Sequence, residues 1–445
     1  MYIKPRQMLK QQITLVIAVL LVSAGLGAQT FYHTGSEEPV TTNHLPGLVL
    51  AGGRTDNDDA MRWMLERAGG GDVVVLRASG SDGYNNYFYT ALGAEINSVT
   101  SIVITSSEQA DNEAVLEALS NAEVVFIAGG NQWNYVNHWR GTQMLELLNE
   151  LINEKQVTIG GTSAGMAVLG EVVYSAQNGT VWSSEALGDP YHVRLTLEKD
   201  FLDIPFMEST VTDSHYNRIQ GDEMDRHGRH VAFMARMVTD WDMPARGVAA
   251  NEYTAVAVDG EGVARVFGDP EFDDHAYFLK MYGGPPEVCD PGTPLTWDRD
   301  GKALRVYRIK GDTEGSGWFS LENWWEGEGG EWQHWHVTEG ELEKSDADYT
   351  GIEGSQQAWP GVVLYPNPAS GHLTITLGTQ NQPFMQSAAL TVTIRSATGK
   401  MLKQRVFGPS LQQEVTLDVE GWRPGLYLLE MCDGIRKTTR TWIKH

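Results

Sequence analysis

Cysteine is nearly absent from this sequence: the chain of 445 residues contains two, Cys289 and Cys432. Two cysteines cannot supply the paired spacing of a zinc site or the framework of a disulfide-rich fold. They also fall in segments that we interpret as different domains, so we expect no bridge between them. If the chain is an enzyme, its nucleophile is therefore not expected to be a thiol.

Positive charge is also scarce, with 33 Lys and Arg against 58 Asp and Glu and a formal net charge of -25. This argues against a nucleic-acid partner and against docking on an anionic membrane, since both need a basic face. A negative field suits a cationic substrate, although solubility alone also explains the charge. Because 41% of the residues are hydrophobic, the chain can bury a core, and its length predicts two or three domains.

Long hydrophobic runs are missing except near the start, where residues 13–22 are apolar apart from Thr14. This run follows three basic residues, precedes small ones, and is too short to span a bilayer comfortably. We interpret residues 1–28 as a secretory signal peptide that is cleaved after Ala28. An uncleaved N-terminal anchor is the alternative.

From Gly47 onward, short apolar runs alternate with segments of helical spacing. The predicted strands are Leu48–Leu50, Val73–Leu76, Ile102–Ile104, Val124–Ile127 and Val157–Ile159, and the predicted helices are 58–68, 114–119 and 144–152. Continuous apolar strands between helices indicate a parallel sheet that is covered on both faces. The predicted fold class is therefore α/β, an open, mostly parallel sheet with helices on both faces, whose sites lie at the carboxyl ends of the strands.

After about Phe267 the helical spacing fades, and residues 285–345 are interpreted as a tryptophan-rich β extension. Most aromatic residues are buried, so we expect core packing here, with a glycan-binding platform as the alternative. Residues 346–361 are polar and linker-like. The alternating runs over residues 362–445 predict a small all-β sandwich domain.

The strongest local motif is Gly161-Thr162-Ser163-Ala164-Gly165, directly after the last predicted strand. A strand, a glycine turn that bears a serine and a following helix form a nucleophile elbow, which exposes the hydroxyl. The helix start offers backbone N–H groups to a developing oxyanion. A bare match to this motif is common, and a phosphate-binding turn is the alternative.

A serine nucleophile needs a histidine base, and that histidine needs an orienting carboxylate. His215 is the favoured base because it follows a predicted strand end at residues 211–212. His192 lies in a loop, while His227 and His230 lie in an Arg-rich helical stretch and are predicted to be surface groups.

The acid is harder to choose: Glu252 precedes the predicted strand 254–258, while Asp240 and Asp242 are competitors on spacing alone. In chain order the groups therefore run Ser, His, acid. The α/β-hydrolases run Ser, acid, His, so that family is disfavoured. The observed order fits glutamine-amidotransferase-like α/β folds.

Several segments between Gly47 and about Leu279 resemble peptidase family S51, which includes cyanophycinase and aspartyl dipeptidases. The similar segments are Asp82–Asn85, Ala128–Gln132, Gly160–Ala167, Ser183–Leu187, Asp213–Tyr216 and Asn251–Ala255. The resemblance implies a peptidase domain over residues 45–345, with Ser163 as nucleophile, His215 as general base and Glu252 as the orienting acid. It implies no metal and no organic cofactor.

The same resemblance implies an oxyanion hole formed by the backbone N–H groups of Gly130 and Ala164. It places four side chains near the aspartyl end of the substrate: Gln132, Asp213, Arg226 and Arg229. An arginine there is chemically sensible because its guanidinium fork binds a carboxylate through two hydrogen bonds. Residues 219–225 look like an insertion into the family's Arg-rich run, so Arg218 is an alternative to these arginines.

Residues 362–445 resemble the type A sorting domain of the type IX secretion system. The supporting segments are Tyr365–Ala369, Gly399-Lys400, Arg423–Tyr427 and a basic tail with Arg436, Lys437, Arg440 and Lys444. The resemblance implies export through the periplasm and outer membrane by the type IX machinery, removal of the domain, and release or surface anchoring. A β-sandwich binding module that stays attached is the alternative.

Together the resemblances imply a secreted or cell-surface serine peptidase that cleaves cyanophycin or related β-aspartyl peptides through an acyl-enzyme. The alternatives are an α-aspartyl dipeptidase of the same family and a catalytically silent surface protein that binds peptide or glycan. The oligomeric state is open, with a homodimer as one alternative because dimers occur in the resembled family.

Overall fold

The computed structural model describes residues 30–218, 225–347, 363–376, 390–396, 400–407, 414–432 and 437–445. The predicted signal peptide therefore lies outside the described residues, as does nearly all of the predicted linker at 346–361. Among the described residues, no helix combines the length and the apolar character needed to cross a membrane.

The strands and helices follow the chain in this order. The strands are β1 Thr30–Gly35, β2 Gly47–Ala51, β3 Asp72–Arg77, β4 Ser98–Val103, β5 Val124–Ile127, β6 Thr158–Thr162, β7 Val173–Tyr174, β8 Leu197–Glu198, β9 Thr210–Asp213, β10 Arg246–Ala250, β11 Ala255–Asp259, β12 Val263–Phe267, β13 His275–Met281, β14 Leu304–Lys310, β15 Trp318–Ser320, β16 Gly327–Glu328, β17 Gly330–Thr338, β18 Glu341–Asp346, β19 Val363–Tyr365, β20 His372–Thr376, β21 Leu390–Ser396, β22 Met401–Phe407, β23 Glu414–Asp418, β24 Gly425–Cys432 and β25 Lys437–Lys444. The helices are α1 Asp58–Glu66, α2 Gly83–Asn86, α3 Ser107–Ala110, α4 Glu113–Ser120, α5 Gln132–Trp139, α6 Gln143–Glu150, α7 Ala164–Ala167, α8 Ser183–Gly188 and α9 His227–Trp241.

The largest sheet has ten strands in the order β1-β4-β3-β5-β6-β2-β11-β12-β15-β16. The five central strands, from β4 to β2, are parallel to one another, and all five were predicted from their apolar runs. Both flanks are antiparallel: β1 pairs with β4 at one edge, and β11 to β16 extend the other. The predicted α/β class is confirmed, with parallel pairing in the centre that carries the elbow.

Helices cover both faces of this sheet. Neighbouring residues of a strand point to opposite faces, so one strand packs against both layers of helices. Val125 and Ile127 of β5 pack with the buried side chains of α4, α5 and α6, such as Leu119 and Leu148. Val124 and Phe126 of the same strand pack with α1 on the other face. Each of these strands is thus buried on both sides, which explains its continuous apolar sequence.

A second sheet of six strands has the order β18-β17-β14-β13-β10-β9, and only β9 and β10 in it are parallel. Helix α9 packs against this sheet within a separate hydrophobic core. Trp324 and Trp335, from the tryptophan-rich segment, are fully buried. Their burial agrees with the expected packing role of that segment.

The C-terminal part contains a three-stranded sheet, β19-β20-β23, and a four-stranded sheet, β22-β21-β24-β25. One hydrophobic core lies between them and includes Leu373, Ile394, Leu429 and Trp442. This arrangement is the all-β sandwich that the alternating pattern predicts. Gly399 of the predicted hairpin lies outside the described residues.

Candidate active site

Ser163 occupies a sharp turn between β6 and α7. Its backbone has φ 53° and ψ -111°, a conformation that L-residues rarely adopt. The turn requires a glycine at 165, since a Cβ there would lie 2.0 Å from the carbonyl oxygen of Ile127. Because α7 is only four residues long, any stabilisation of an oxyanion here must come from individual N–H groups rather than from a helix dipole. The local geometry is that of a nucleophile elbow.

His215 lies just after β9 and faces Ser163. The hydroxyl of Ser163 donates to Nε2 of His215 at 2.8 Å, and Nδ1 of His215 donates to Oε1 of Glu252 at 2.7 Å. The His215 side chain is 13% exposed and that of Glu252 is 12% exposed. The structure thus brings together the three residues that the sequence favoured, in the arrangement that lets a histidine accept a serine proton.

Glu252 lies between β10 and β11, where two further groups hold it. Its N–H donates to Oδ1 of Asn217 at 2.9 Å, and Nε of Arg54 donates to its Oε2 at 3.0 Å. Burial disfavours the charged carboxylate, but the hydrogen bonds from His215 and Arg54 outweigh this and lower the pKa of Glu252. The carboxylate is therefore ionised at neutral pH, as an orienting acid must be.

The two competing acids lie elsewhere. Asp240 accepts hydrogen bonds from Arg236 and Tyr191. Asp242 is an exposed residue at the end of α9. Spacing along the chain could not separate these acids from Glu252, because the choice depends on which loop reaches His215.

Burial lowers the pKa of His215, and the hydrogen bond to Glu252 only partly offsets that effect. We expect the acid limb of kcat/KM to have its midpoint below pH 6.5, the ordinary value for histidine. A general base must be neutral to accept a proton, so a lowered pKa keeps the site active at lower pH. Rates measured from about pH 4 to pH 9 give this limb. A midpoint above the ordinary histidine value would contradict the prediction.

The two predicted oxyanion donors belong to two turns that lie near the nucleophile. Ala164 follows Ser163 directly. Gly130 belongs to the turn after β5, and this turn lies close to the nucleophile, since a Cβ added at the neighbouring Gly129 would lie 3.5 Å from Cβ of Ser163. Gly130 has φ 155°. Their function as an oxyanion hole stays a prediction.

The predicted substrate-binding residues are mostly engaged with the protein itself. Asp213 and Arg229 are each 3% exposed and form a bidentate ion pair. Nε of Arg229 donates to Oδ2 of Asp213 at 2.8 Å, and Nη2 donates to Oδ1 at 2.5 Å. Burial and the nearby Arg229 lower the pKa of Arg226 to about 9, and this side chain donates to the carbonyl of Ser214. Gln132 donates to the carbonyl of Tyr174. A direct contact between these four residues and a substrate stays a prediction.

His227 and His230 were predicted to be surface groups, and this was wrong. His227 is 8% exposed and His230 is fully buried. The reason is that most of α9 is covered on all sides as it packs against the second sheet and α8. Burial lowers the pKa of His230 to about 4, and its ring contacts the carbonyl of Val211 and the hydroxyl of Tyr216.

No sequence motif pointed to Arg54, Asn217 or the pair Gly52-Gly53. A Cβ on Gly53 would lie 2.5 Å from both Cε1 and Nε2 of His215, and φ of Gly53 is 97°. A pair of glycines after a buried strand is the one signal that could have indicated that another side chain, here the ring of His215, approaches this backbone closely.

Gly53→Ala is expected to reduce kcat/KM by about 10²-fold, because the methyl group must displace the His215 ring from Ser163. Gly70→Ala is the matched control: Gly70 has φ 84°, yet no atom lies within 4 Å of the position of its Cβ. The control carries a similar backbone strain without the clash and should keep its activity. Equal losses in both variants would contradict the steric argument.

Within the described residues, no group of three or more His, Cys, Asp and Glu side chains is arranged to hold a metal ion. Cys289 is buried with a free thiol, and burial raises the pKa of this thiol. The groups that the structure brings together at Ser163 are the hydroxyl, the imidazole and the carboxylate described above. A strained serine hydrogen-bonded to histidine, which is hydrogen-bonded in turn to a carboxylate, is the arrangement that defines serine hydrolases.

In a comparison with known proteins, two segments of the chain match family models. Residues 48–190 match the model for peptidase family S51, and residues 363–445 match the model for the secretion system C-terminal sorting domain. The first segment is thus similar to peptidase family S51 and the second to the C-terminal sorting domains. A sorting domain of this kind indicates a secreted or cell-surface location.

Two curated relatives are the cyanophycinases of Synechococcus elongatus and Thermosynechococcus vestitus. Each is 30% identical over 139 residues, which cover 29% of this chain. The chain spans 43% of the length of each relative. Among solved structures, a peptidase from an acI-B1 Actinobacterium has 14% identity and a TM-score of 0.40, and the match covers 63% of this chain and 98% of that one. A putative peptidase E protein from Listeria monocytogenes has 16% identity and a TM-score of 0.32, with 51% and 99% covered.

Proposed function

We propose that this protein is a secreted serine peptidase that hydrolyses cyanophycin or related β-aspartyl peptides. The observation that carries the proposal is the continuous set of hydrogen bonds from Ser163 through His215 to Glu252. The match of residues 48–190 to peptidase family S51 supports the reaction class. The two cyanophycinase relatives support the choice of substrate.

The proposed reaction is acyl transfer in two steps. Oγ of Ser163 attacks the carbonyl carbon of the scissile amide while Nε2 of His215 takes the hydroxyl proton. The tetrahedral intermediate collapses, His215 gives that proton to the leaving amine, and an ester to Ser163 remains. Water then attacks the ester, with His215 accepting and returning its proton, which releases the acid and restores the serine.

Other residues have supporting roles in this proposal. Glu252 holds the His215 ring with its Nδ1–H directed at the carboxylate and stabilises the imidazolium that forms in each step. The backbone N–H groups of Gly130 and Ala164 stabilise the oxyanion, and the loss of one such donor typically costs about 10²–10³ in rate. By the family resemblance, Gln132, Asp213, Arg226 and Arg229 lie near the aspartyl end of the substrate. A homodimer stays a prediction from the family resemblance alone.

The test is product release from the purified protein on insoluble cyanophycin, a β-aspartyl-arginine dipeptide and a panel of α-aspartyl dipeptides, with Ser163→Ala as the control. Release of β-aspartyl-arginine from cyanophycin by the wild type alone supports the proposal. Cleavage of α-aspartyl dipeptides alone would assign the protein to the dipeptidases of the family. No cleavage, together with no labelling of Ser163 by a fluorophosphonate, would favour a silent binding protein.

A further inference from the structure

The turn between β2 and α1, residues 51–54, contacts every segment that carries a member of the proposed triad. Its backbone carbonyl groups accept hydrogen bonds from three segments in succession. The bonds run from Ser163 N–H to Ala51 at 3.0 Å, from His215 N–H to Gly52 at 2.7 Å and from Tyr253 N–H to Gly53 at 3.0 Å. The turn therefore fixes the backbone beside Ser163, His215 and Glu252 relative to one another.

Arg54 ends this turn and adds a side-chain contact to the same set. Its Nε donates to Oε2 of Glu252 at 3.0 Å. Its backbone has φ 73°, which a non-glycine residue rarely adopts. The Arg54 side chain is 58% exposed, so core packing does not account for this conformation, whereas that of Glu252 is 12% exposed.

We propose that Arg54 is a positioning residue for the triad: it holds the Glu252 carboxylate with Oε1 directed at Nδ1 of His215. The inference rests on the proposed function of that triad. A carboxylate bound through one oxygen can rotate about its terminal bond, because that torsion is broad. With Oε1 bound to His215 and Oε2 bound to Arg54, both oxygens are held and the rotation is prevented.

Arg54 also affects His215 indirectly, through the charge of Glu252. The charged groups that act on His215 are Glu252, Arg226 and Arg218, and the bound Ser163 hydroxyl is neutral. The groups that act on Glu252 are His215 and Arg54. Removal of the Arg54 charge leaves the negative charge of Glu252 less compensated, which favours the imidazolium. The pKa of His215 should then rise, and the acid limb of the reaction should move to higher pH.

The alternative role for an exposed arginine beside an active site is to bind a carboxylate of the substrate. Two measurements separate these roles. A small uncharged fluorophosphonate reacts with an activated serine but has no carboxylate for Arg54 to bind. Hydrolysis of an aspartyl substrate then separates kcat from KM, since lost substrate binding raises KM whereas lost positioning lowers kcat.

The experiment compares full-length wild type, Arg54→Gln, Arg54→Lys and Ser163→Ala in the rate of fluorophosphonate labelling as a function of pH. We expect Arg54→Gln to label roughly three- to tenfold more slowly at pH 7, with its acid limb at higher pH than that of the wild type. Arg54→Lys should recover most of the labelling rate and should have the same acid limb as the wild type, because lysine keeps the positive charge. On an aspartyl substrate, kcat of Arg54→Gln should fall while KM stays the same.

The outcomes distinguish the inference from the function on which it rests. If the wild type labels at Ser163 and Arg54→Gln has the same rate and the same limb, the positioning role is wrong while the triad stands. A rise in KM alone would assign Arg54 to substrate binding and would equally overturn the inference. If the wild type fails to label, the proposed function itself is wrong.

Discussion

Replacing Ser163 with alanine is expected to abolish hydrolysis, with a fall in kcat of about 10⁶-fold where residual rates are measurable. The hydroxyl oxygen is the proposed nucleophile, and Nε2 of His215 lies 2.8 Å from it, ready to accept its proton. No acyl-enzyme forms without that oxygen, so only binding and oxyanion stabilisation remain. Alanine keeps the positive φ that serine already tolerates, so we expect the melting temperature to change little.

Steady-state hydrolysis and mass spectrometry of the fluorophosphonate adduct check this result together. Ser120→Ala is the control, since Ser120 is an exposed helix residue whose hydroxyl donates only to the carbonyl of Leu116. It should retain full activity. An adduct on any serine other than Ser163, or hydrolysis that survives Ser163→Ala, would refute Ser163 as the nucleophile.

Asp213→Asn is expected to lower the free energy of unfolding by about 3–5 kcal/mol, the typical cost of removing one partner from a buried ion pair. Asp213 accepts two hydrogen bonds from Arg229 at full burial. Burial alone would raise the pKa of Asp213, but the Arg229 charge holds it below its ordinary value. Asparagine leaves the Arg229 cation buried without its counter-charge.

Urea denaturation measures this loss, and Asp59→Asn is the control. Asp59 pairs with Arg62 on the surface, with side chains that are 35% and 38% exposed, so its loss should cost about 1 kcal/mol or less. Replacing both partners, as in Asp213→Leu with Arg229→Met, should recover part of the stability because no lone charge is left. An unchanged unfolding free energy in Asp213→Asn, combined with a raised KM, would instead support the predicted contact with substrate.

The contrast between Arg229 and Arg54 shows what sequence motifs leave undecided. Either arginine side chain could bind a carboxylate of the substrate, and the family resemblance pointed to Arg229. In the structure the Arg229 fork is bound by Asp213, whereas Arg54 lies at the surface beside Glu252. A motif records which residue types occur together, but the partner of each side chain depends on segments far away in the chain.

The edge strand β1 illustrates another limit. Its residues are mostly exposed or half-buried, and the segment lacks the apolar run that marked the central strands. Its pairing with β4 joins residues about seventy positions apart, such as Thr30 and Val103. An edge strand needs apolar character on one face at most, so its local sequence carries little signal.

The sequence by itself determined the features that depend on near neighbours in the chain. These are the five central strands, the three helices α1, α4 and α6, the glycine turn around Ser163 and the alternating strands of the C-terminal sandwich. Each follows from a period of two or 3.6 residues or from the steric freedom of glycine, which act over a few residues. Only the tertiary structure decided the rest: the contact of His215 with Glu252 rather than with Asp240 or Asp242, the burial of His227 and His230, and the contact of Arg54 with Glu252. Those outcomes depend on which loops meet at the ends of the strands, and that meeting is set by the packing of the whole sheet rather than by any one segment.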